Sequence, residues 1–212
     1  MTTIAANRQA YMRAVLGDRD DMLERILRHA LLERRCPTIQ IDDNAGRILQ
    51  FLTLVHKPKL VVEIGSLFGY STVHIARGLP AGGRVVGLEI DKESAATARA
   101  SIAIAGVSDR AEIVEVDALD YLRTLDDEVV DMVFIDADKK AYPDYLKSVV
   151  SKLRRGGLIV ADDAFADGPY LDDEDAAQRL GIRKYNQAIG RASGFFSTFV
   201  GTETGLMMSI KR

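Results

Sequence analysis

Five short apolar runs, at residues 60–64, 84–90, 111–116, 129–135 and 158–161, lack the polar alternation of a strand with one wet face. Strands buried on both faces read this way, and such burial needs helices above and below the sheet. Helical stretches stand between the runs, near residues 70–77, 92–105, 118–125 and 142–153. Alternating strand and helix predicts an α/β fold whose parallel sheet is covered on both sides. The end of the chain departs from this pattern. Residues 195–200 and 206–210 are separated only by Gly201-Thr202-Glu203-Thr204-Gly205, a hairpin-length loop, so one edge region is antiparallel.

Two amphipathic helices precede the first run. From Asp20 onward Met22, Leu23, Ile26, Leu27, Ala30 and Leu31 recur at three-to-four spacing, until Pro37 ends the helix. A second helix opens at Asp42 or Asp43 as N-cap and presents Ala45, Ile48, Leu49, Leu52 and Val55 on one face, stopping at Lys57-Pro58. No repeat, low-complexity stretch or linker divides the sequence. Residues 1–212 therefore read as one domain, with a helical N-terminal segment over 1–57 and the α/β core over 58–212.

Composition narrows the chemistry. With 28 Lys+Arg against 31 Asp+Glu, interspersed and summing to −3, the chain offers no broad positive field for nucleic acid. A single cysteine, Cys36, and three scattered histidines, His29, His56 and His74, leave no zinc-type spacing, so any metal must bind through oxygen. No apolar run is long enough for a membrane span, and Arg8 and Arg13 among polar residues are unlike a secretory signal; a cytoplasmic location is expected. A GxSxG elbow is absent, which removes support for serine hydrolase chemistry.

In an open parallel sheet the ligand sits beyond the carboxyl ends of the strands. The first strand closes with Glu63-Ile64-Gly65-Ser66-Leu67-Phe68-Gly69-Tyr70-Ser71, a tight turn feeding a helix. Its glycines, Gly65 and Gly69, are spaced GxxxG rather than GxGxxG, and Leu67 stands where a dinucleotide site needs a glycine to admit pyrophosphate. The second strand ends at Glu89, 20 residues beyond Gly69, which suits a carboxylate gripping a ribose diol. The third ends in Asp117-Ala118, placed to flank an adenine. Together these describe a site for an adenosine without phosphates whose amino-acid part pairs its ammonium with Glu63. S-adenosylmethionine fits that description better than NAD.

The fourth strand ends in Asp136-Ala137-Asp138-Lys139-Lys140 and the fifth in Asp162-Asp163. Adjacent strand ends would gather Asp136, Asp162 and Asp163, whose mutual repulsion calls for raised pKa values or a cation. Hard oxygen donors favour Mg²⁺, with Mn²⁺ or Ca²⁺ as alternatives. Asp138 alternates away. Lys139 follows Asp136 by three residues, so it leans over the same ion, and a neighbouring dication would lower its pKa toward that of a working base.

Val61-Val62-Glu63-Ile64-Gly65 through Gly69-Tyr70-Ser71, then Gly87-Leu88-Glu89-Ile90-Asp91, then Phe134-Ile135-Asp136-Ala137-Asp138-Lys139 resemble the cation-dependent O-methyltransferases related to catechol and caffeoyl-CoA O-methyltransferases. The match is close from about Leu60 to Asp163 and looser through Arg183-Lys184-Tyr185-Asn186 and the final hairpin. Ile39-Gln40-Ile41 followed by Gly46 is similar to the family segment that closes over the methyl donor. The resemblance implies a Rossmann-like, seven-stranded, mostly parallel sheet and a homodimer. It assigns Asp136, Asp162 and Asp163 to the metal, Lys139 to general base, and Glu63, Ser71, Glu89 and Asp117 to S-adenosylmethionine. The chain has Asp162-Asp163 where the family usually has Asp-Asn, and residues 164–170 lack its usual tryptophan.

The expected function is cation-dependent methylation of a hydroxyl on a small aromatic, catechol-like or hydroxycinnamoyl-like. The alternatives are an NAD-dependent oxidoreductase, a non-catalytic cofactor-binding domain, and a methyltransferase acting on nitrogen or on a carrier-bound acyl group. Other features read as structural. Asp172-Asp173-Glu174-Asp175 is an acidic helix cap; Cys36, Met207 and Met208 fill space; the histidines are surface or partly buried, His74 riding the helix after the glycine turn.

Overall fold

The computed structural model describes residues 10–166 and 175–212. Residues 10–16 are helical. Then follow α1 (Asp21–Leu27), which runs on as a π-helix over Arg28–Glu33, and α2 (Asp43–His56). The core alternates β1 (Leu60–Ile64), α3 (Tyr70–Gly78), β2 (Arg84–Glu89), α4 (Lys92–Ile104), β3 (Ala111–Glu115), α5 (Ala118–Thr124) and β4 (Val130–Ile135). It continues through a 3₁₀ turn at Lys139–Ala141, α6 (Tyr142–Lys152), β5 (Leu153–Ala161), α7 (Ala176–Gly190), β6 (Phe195–Val200) and β7 (Leu206–Lys211). The strands form one seven-stranded sheet in the order β3-β2-β1-β4-β5-β7-β6, parallel except where β7 joins β5 and β6. This is the expected Rossmann-like architecture. Strand order reverses between β1 and β4, which is where such sheets hold ligands.

The burial of β1 and β4 on both faces divides the core in two. Val61, Met132 and Phe134 pack on one side with α1, α2, α3 and α4; Val62, Ile64, Val133 and Ile135 pack on the other with α6 and α7. Asp42 caps α2, its Oδ1 accepting from Asn44 N at 2.7 Å and Ala45 N at 3.0 Å. Among the described residues, no helix is long and apolar enough to cross a membrane.

Several expectations need correction. β5 begins at Leu153 rather than 158, because Leu153 pairs with Val130 and a register shift carries the chain past Gly156, whose φ is +72°. β3 is not buried on both faces: Ala111 and Ile113 are buried while Glu112 and Glu115 are exposed, since it is an edge strand. On α2 the apolar stripe is narrower than the sequence suggests: Ala45 and Leu49 are buried, Ile48 and Leu52 half-buried, and Val55 is exposed. Only one side of α2 meets α3. His74 is buried rather than superficial, at 3% exposure. Its ring fills the space where a Cβ on Gly46 would come within 2.6 Å. Of the acidic run, residues 172–174 lie outside the described chain, as do 167–170 of the tryptophan-free stretch; the remaining Asp175 precedes α7 but bonds Gln178 Nε2 at 3.2 Å instead of capping backbone.

Candidate active site

Neighbouring strands place their final residues on one rim. The ladder continues one step past each strand, Asp136 N donating to Ile64 O at 2.9 Å and Asp162 N to Ile135 O at 3.0 Å, so both acidic residues are set by backbone hydrogen bonds. Gly65, at φ +88°, turns β1 away so tightly that a Cβ would stand 2.3 Å from Asp136 O. Only glycine permits that approach. Gly65 N and Ser66 N both donate to Leu88 O, tying the turn to β2. Gly69, also left-handed, begins α3.

A cavity of about 510 Å³ lies over this turn, within the range of small-molecule sites. Its walls include Gly65, Ser71, Glu89, Asp117 and Ala118, with Ile39, Gln40 and Ile41 across the mouth. Glu89 accepts from Leu67 N through Oε2 at 2.7 Å and from Asp91 N through Oε1 at 3.0 Å, which fixes its carboxylate at the wall. Asp117 caps α5 by accepting from Leu119 N at 2.8 Å.

Glu63 does not line this cavity. It is fully buried behind the turn, where its Oε2 accepts from Ser66 Oγ at 3.1 Å and from Thr72 Oγ1. Burial pushes its carboxyl up to about 7, against the lowering effect of the Ser71, Thr72 and Ser66 hydroxyls. Its geometry is that of a brace under the glycine turn, because its side chain leaves β1 beneath the turn and over Gly87. Its other oxygen, Oε1, is buried and has no hydrogen-bond partner among the described residues.

Asp136, Asp162 and Asp163 do converge, offering oxygens that all lie within 4.8 Å of one another. Burial raises the carboxyls of Asp136 and Asp162, and the neighbouring carboxylates add to it. The group at their centre is the Lys139 ammonium. Its Nζ is 2.5 Å from Asp136 Oδ1, 2.7 Å from Asp163 Oδ2 and 3.0 Å from the Tyr142 hydroxyl. Burial works to lower the lysine pKa, but Asp136, Tyr142 and Asp163 overcome it and hold the ammonium well above its ordinary value. Asp138 turns aside to accept from Lys140 N at 3.2 Å.

The sequence reading missed what holds this arrangement. The buried Tyr142 hydroxyl lies 3.2 Å from Ile135 O and 3.1 Å from Asp162 O, bridging the ends of β4 and β5 while accepting from Lys139. Tyr185 of α7 stacks edge-on against Tyr142, ring centres 5.5 Å apart. Gly181, also on α7, lets that helix approach so closely that a Cβ would lie 2.1 Å from Lys139 O. Asn186 Nδ2 donates to Ala164 O at 2.6 Å, and Thr204 Oγ1 to Asp162 Oδ1 at 3.1 Å. The signal available was the apolar face of α7, but no spacing rule ties a helix to a distant loop.

A second, larger cavity of about 800 Å³ is bordered by Asp162 and Asp163, whereas Asp136 and Asp163 border the smaller one. Its walls include Asp162, Asp163 and Thr204 together with residues of α2 and of the segment before α1. Ile39, Gln40, Ile41 and Tyr70 border both cavities. The carboxylate cluster thus sits between two chambers.

Residues 15–211 match the model of the O-methyltransferase family. The chain is 37% identical over 194 residues to catechol O-methyltransferase of Niastella koreensis, covering 90% of this chain and 87% of the relative. Caffeoyl-CoA O-methyltransferase 1 of Eucalyptus globulus is 31% identical over 148 residues, 68% of this chain and 60% of that protein. The crystal structure of an O-methyltransferase from Bacillus cereus, in complex with SAH, superposes with a TM-score of 0.90 at 30% identity, covering all of both chains. The chain belongs to the O-methyltransferase family, a class of methyl-transferring enzymes and not of nicotinamide oxidoreductases.

Proposed function

We propose that this protein transfers the methyl group of S-adenosylmethionine to a hydroxyl of a small aromatic diol, with a divalent cation held by Asp136, Asp162 and Asp163. The observation that carries the reading is the cluster of three carboxylates within 4.8 Å, set between two cavities with Lys139 at its centre. The donor set fits a hard cation: every ligand is a carboxylate oxygen, and buried like charges are stabilised by a dication. Such a cation, when bound, supplies Lewis acidity that lowers the pKa of an acceptor hydroxyl.

The smaller cavity suits the donor. Glu89 stands at the end of β2 with its carboxylate fixed, and Asp117-Ala118 close the far side. Leu67 occupies the position that would obstruct a diphosphate. S-adenosylmethionine, when bound, supplies an electrophilic sulfonium methyl. Ile39, Gln40 and Ile41 border both chambers, so they can exclude water where donor and acceptor meet.

Lys139 manages the proton. Held at three points, Nζ is aimed into the carboxylate cluster, where Asp163 borders both chambers. Where the negative charge of Asp136 and Asp163 is offset, two of the three influences that raise the Lys139 pKa are removed, and burial, the largest influence, acts to lower it. That is the direction a general base needs. Tyr142 keeps the lysine at the strand ends while this happens. Fixed geometry then supplies a large share of the rate.

The test is transfer of labelled methyl from S-adenosylmethionine to a panel of catechols and hydroxycinnamates, with Mg²⁺ and with excess EDTA. Product that appears only with the cation supports the reading; equal turnover under chelation overturns the role of the metal.

A further inference from the structure

Four arginines border the larger cavity: Arg13, Arg19, Arg47 and Arg77. Three of them are committed. Arg19 lies 2.6 Å from Asp43 Oδ1 and 3.2 Å from Glu24 Oε1, and Arg13 reaches the other Asp43 oxygen at 3.7 Å. Arg77 spans both oxygens of Asp20 at 2.7 and 3.2 Å. The Tyr70 hydroxyl, at 2.8 Å, occupies Asp43 further. Arg47 differs. Among the described residues its one hydrogen bond goes to Leu16 O at 3.4 Å, and no carboxylate comes within ion-pair reach of it.

Arg47 shares a face of α2 with Asn44 and Gln50, three residues to either side, and all three border the cavity. They stand on successive turns of a 14-residue helix. Asp162 and Asp163 border the same chamber. At about 800 Å³, the chamber is larger than a bare benzenediol ring occupies. A ligand with its hydroxyls at the carboxylate cluster therefore has room to extend toward Arg47. A guanidinium that faces such a chamber with no counter-charge among the described residues is suited to a carboxylate or phosphate oxygen, which it binds through charge-assisted hydrogen bonds.

We propose that the methyl acceptor is an anionic aromatic diol whose acidic group is read by Arg47. The inference rests on the function proposed above and deepens it by naming the substrate class.

The experiment compares kcat/KM for 3,4-dihydroxybenzoate, a hydroxycinnamoyl coenzyme A thioester and neutral 4-methylcatechol, using the intact protein and its Arg47→Gln and Arg47→Lys variants. The intact protein should prefer an anionic acceptor, and added salt should erode that preference. Arg47→Gln should reduce the ratio of anionic to neutral kcat/KM about tenfold, chiefly through KM, whereas Arg47→Lys keeps most of it. A ratio that falls for the free acid identifies the anion as a carboxylate; one that falls for the thioester alone identifies the carrier's phosphate. Either supports the proposal. A ratio unmoved by Arg47→Gln, or an intact protein that prefers the neutral diol, overturns it. Failure to methylate any diol on the panel would instead overturn the underlying function.

Discussion

Replacing Lys139 by methionine isolates the electrostatic logic of the site. The substitution keeps length and apolar bulk but removes the ammonium that contacts Asp136, Asp163 and Tyr142. With chelator present, three clustered carboxylates are then left without their cation. Breaking a buried pair in this way costs about 3–5 kcal/mol. Protonation sets a ceiling: charging one carboxyl of ordinary pKa about 3.9 with a proton at pH 7.5 costs about 5 kcal/mol, but only about 2 kcal/mol at pH 5.5. The variant should therefore lose about 3–5 kcal/mol at the higher pH and no more than about 2 at the lower. For a domain of this size the first figure corresponds to a fall in Tm of roughly 10 °C. Differential scanning calorimetry at both pH values, in EDTA, reads the difference directly. A variant as stable as the parent at pH 7.5, or equally destabilised at both pH values, would refute the reasoning.

The other expectations follow from single contacts. Gly181→Ala drives a methyl into Lys139 O, 2.1 Å away, and should cost about 1–3 kcal/mol in urea unfolding while lowering turnover. His74, buried and held down to about 4 by desolvation from an ordinary 6.5, binds fewer protons folded than unfolded; its contribution to stability is complete above pH 6.5 and declines toward pH 4, so His74→Gln should flatten the acid limb of a stability profile. Asp136→Ala should abolish divalent-cation binding by calorimetry together with activity, while Lys139→Ala keeps donor affinity nearly intact and loses turnover. Tyr142→Phe removes the hydroxyl joining Lys139 to the ends of β4 and β5 and should cost about 1–3 kcal/mol of stability, with kcat falling more than KM rises.

Much of the fold is legible because β1, β2 and β4 are buried on both faces and β5 ends in such a run, which leaves uninterrupted apolar segments in the sequence. The first half of β5 escapes notice, since Arg154, Arg155, Gly156 and Gly157 look like a loop while the ladder carries them as a bulge. The π-helical end of α1 leaves no compositional trace. At the site, Asp136, Asp162 and Asp163 can be found because strand adjacency alone brings their positions together. Glu63 is legible as a residue at the end of β1, but strand position alone does not give its hydrogen bonds to the Ser66 and Thr72 hydroxyls beneath the turn. Tyr142 and Gly181 are illegible, as each acts across a tertiary contact made by a helix folding over the strand ends.

Crystals grown with Mn²⁺ and S-adenosylhomocysteine give the most direct measurement, through anomalous scattering from the metal. One peak within about 2.3 Å of an oxygen from each of Asp136, Asp162 and Asp163, with the nucleoside in the smaller cavity beside Glu89, is the expected result. A manganese bound elsewhere, or a nucleoside lodged in the chamber beneath α2, would contradict it.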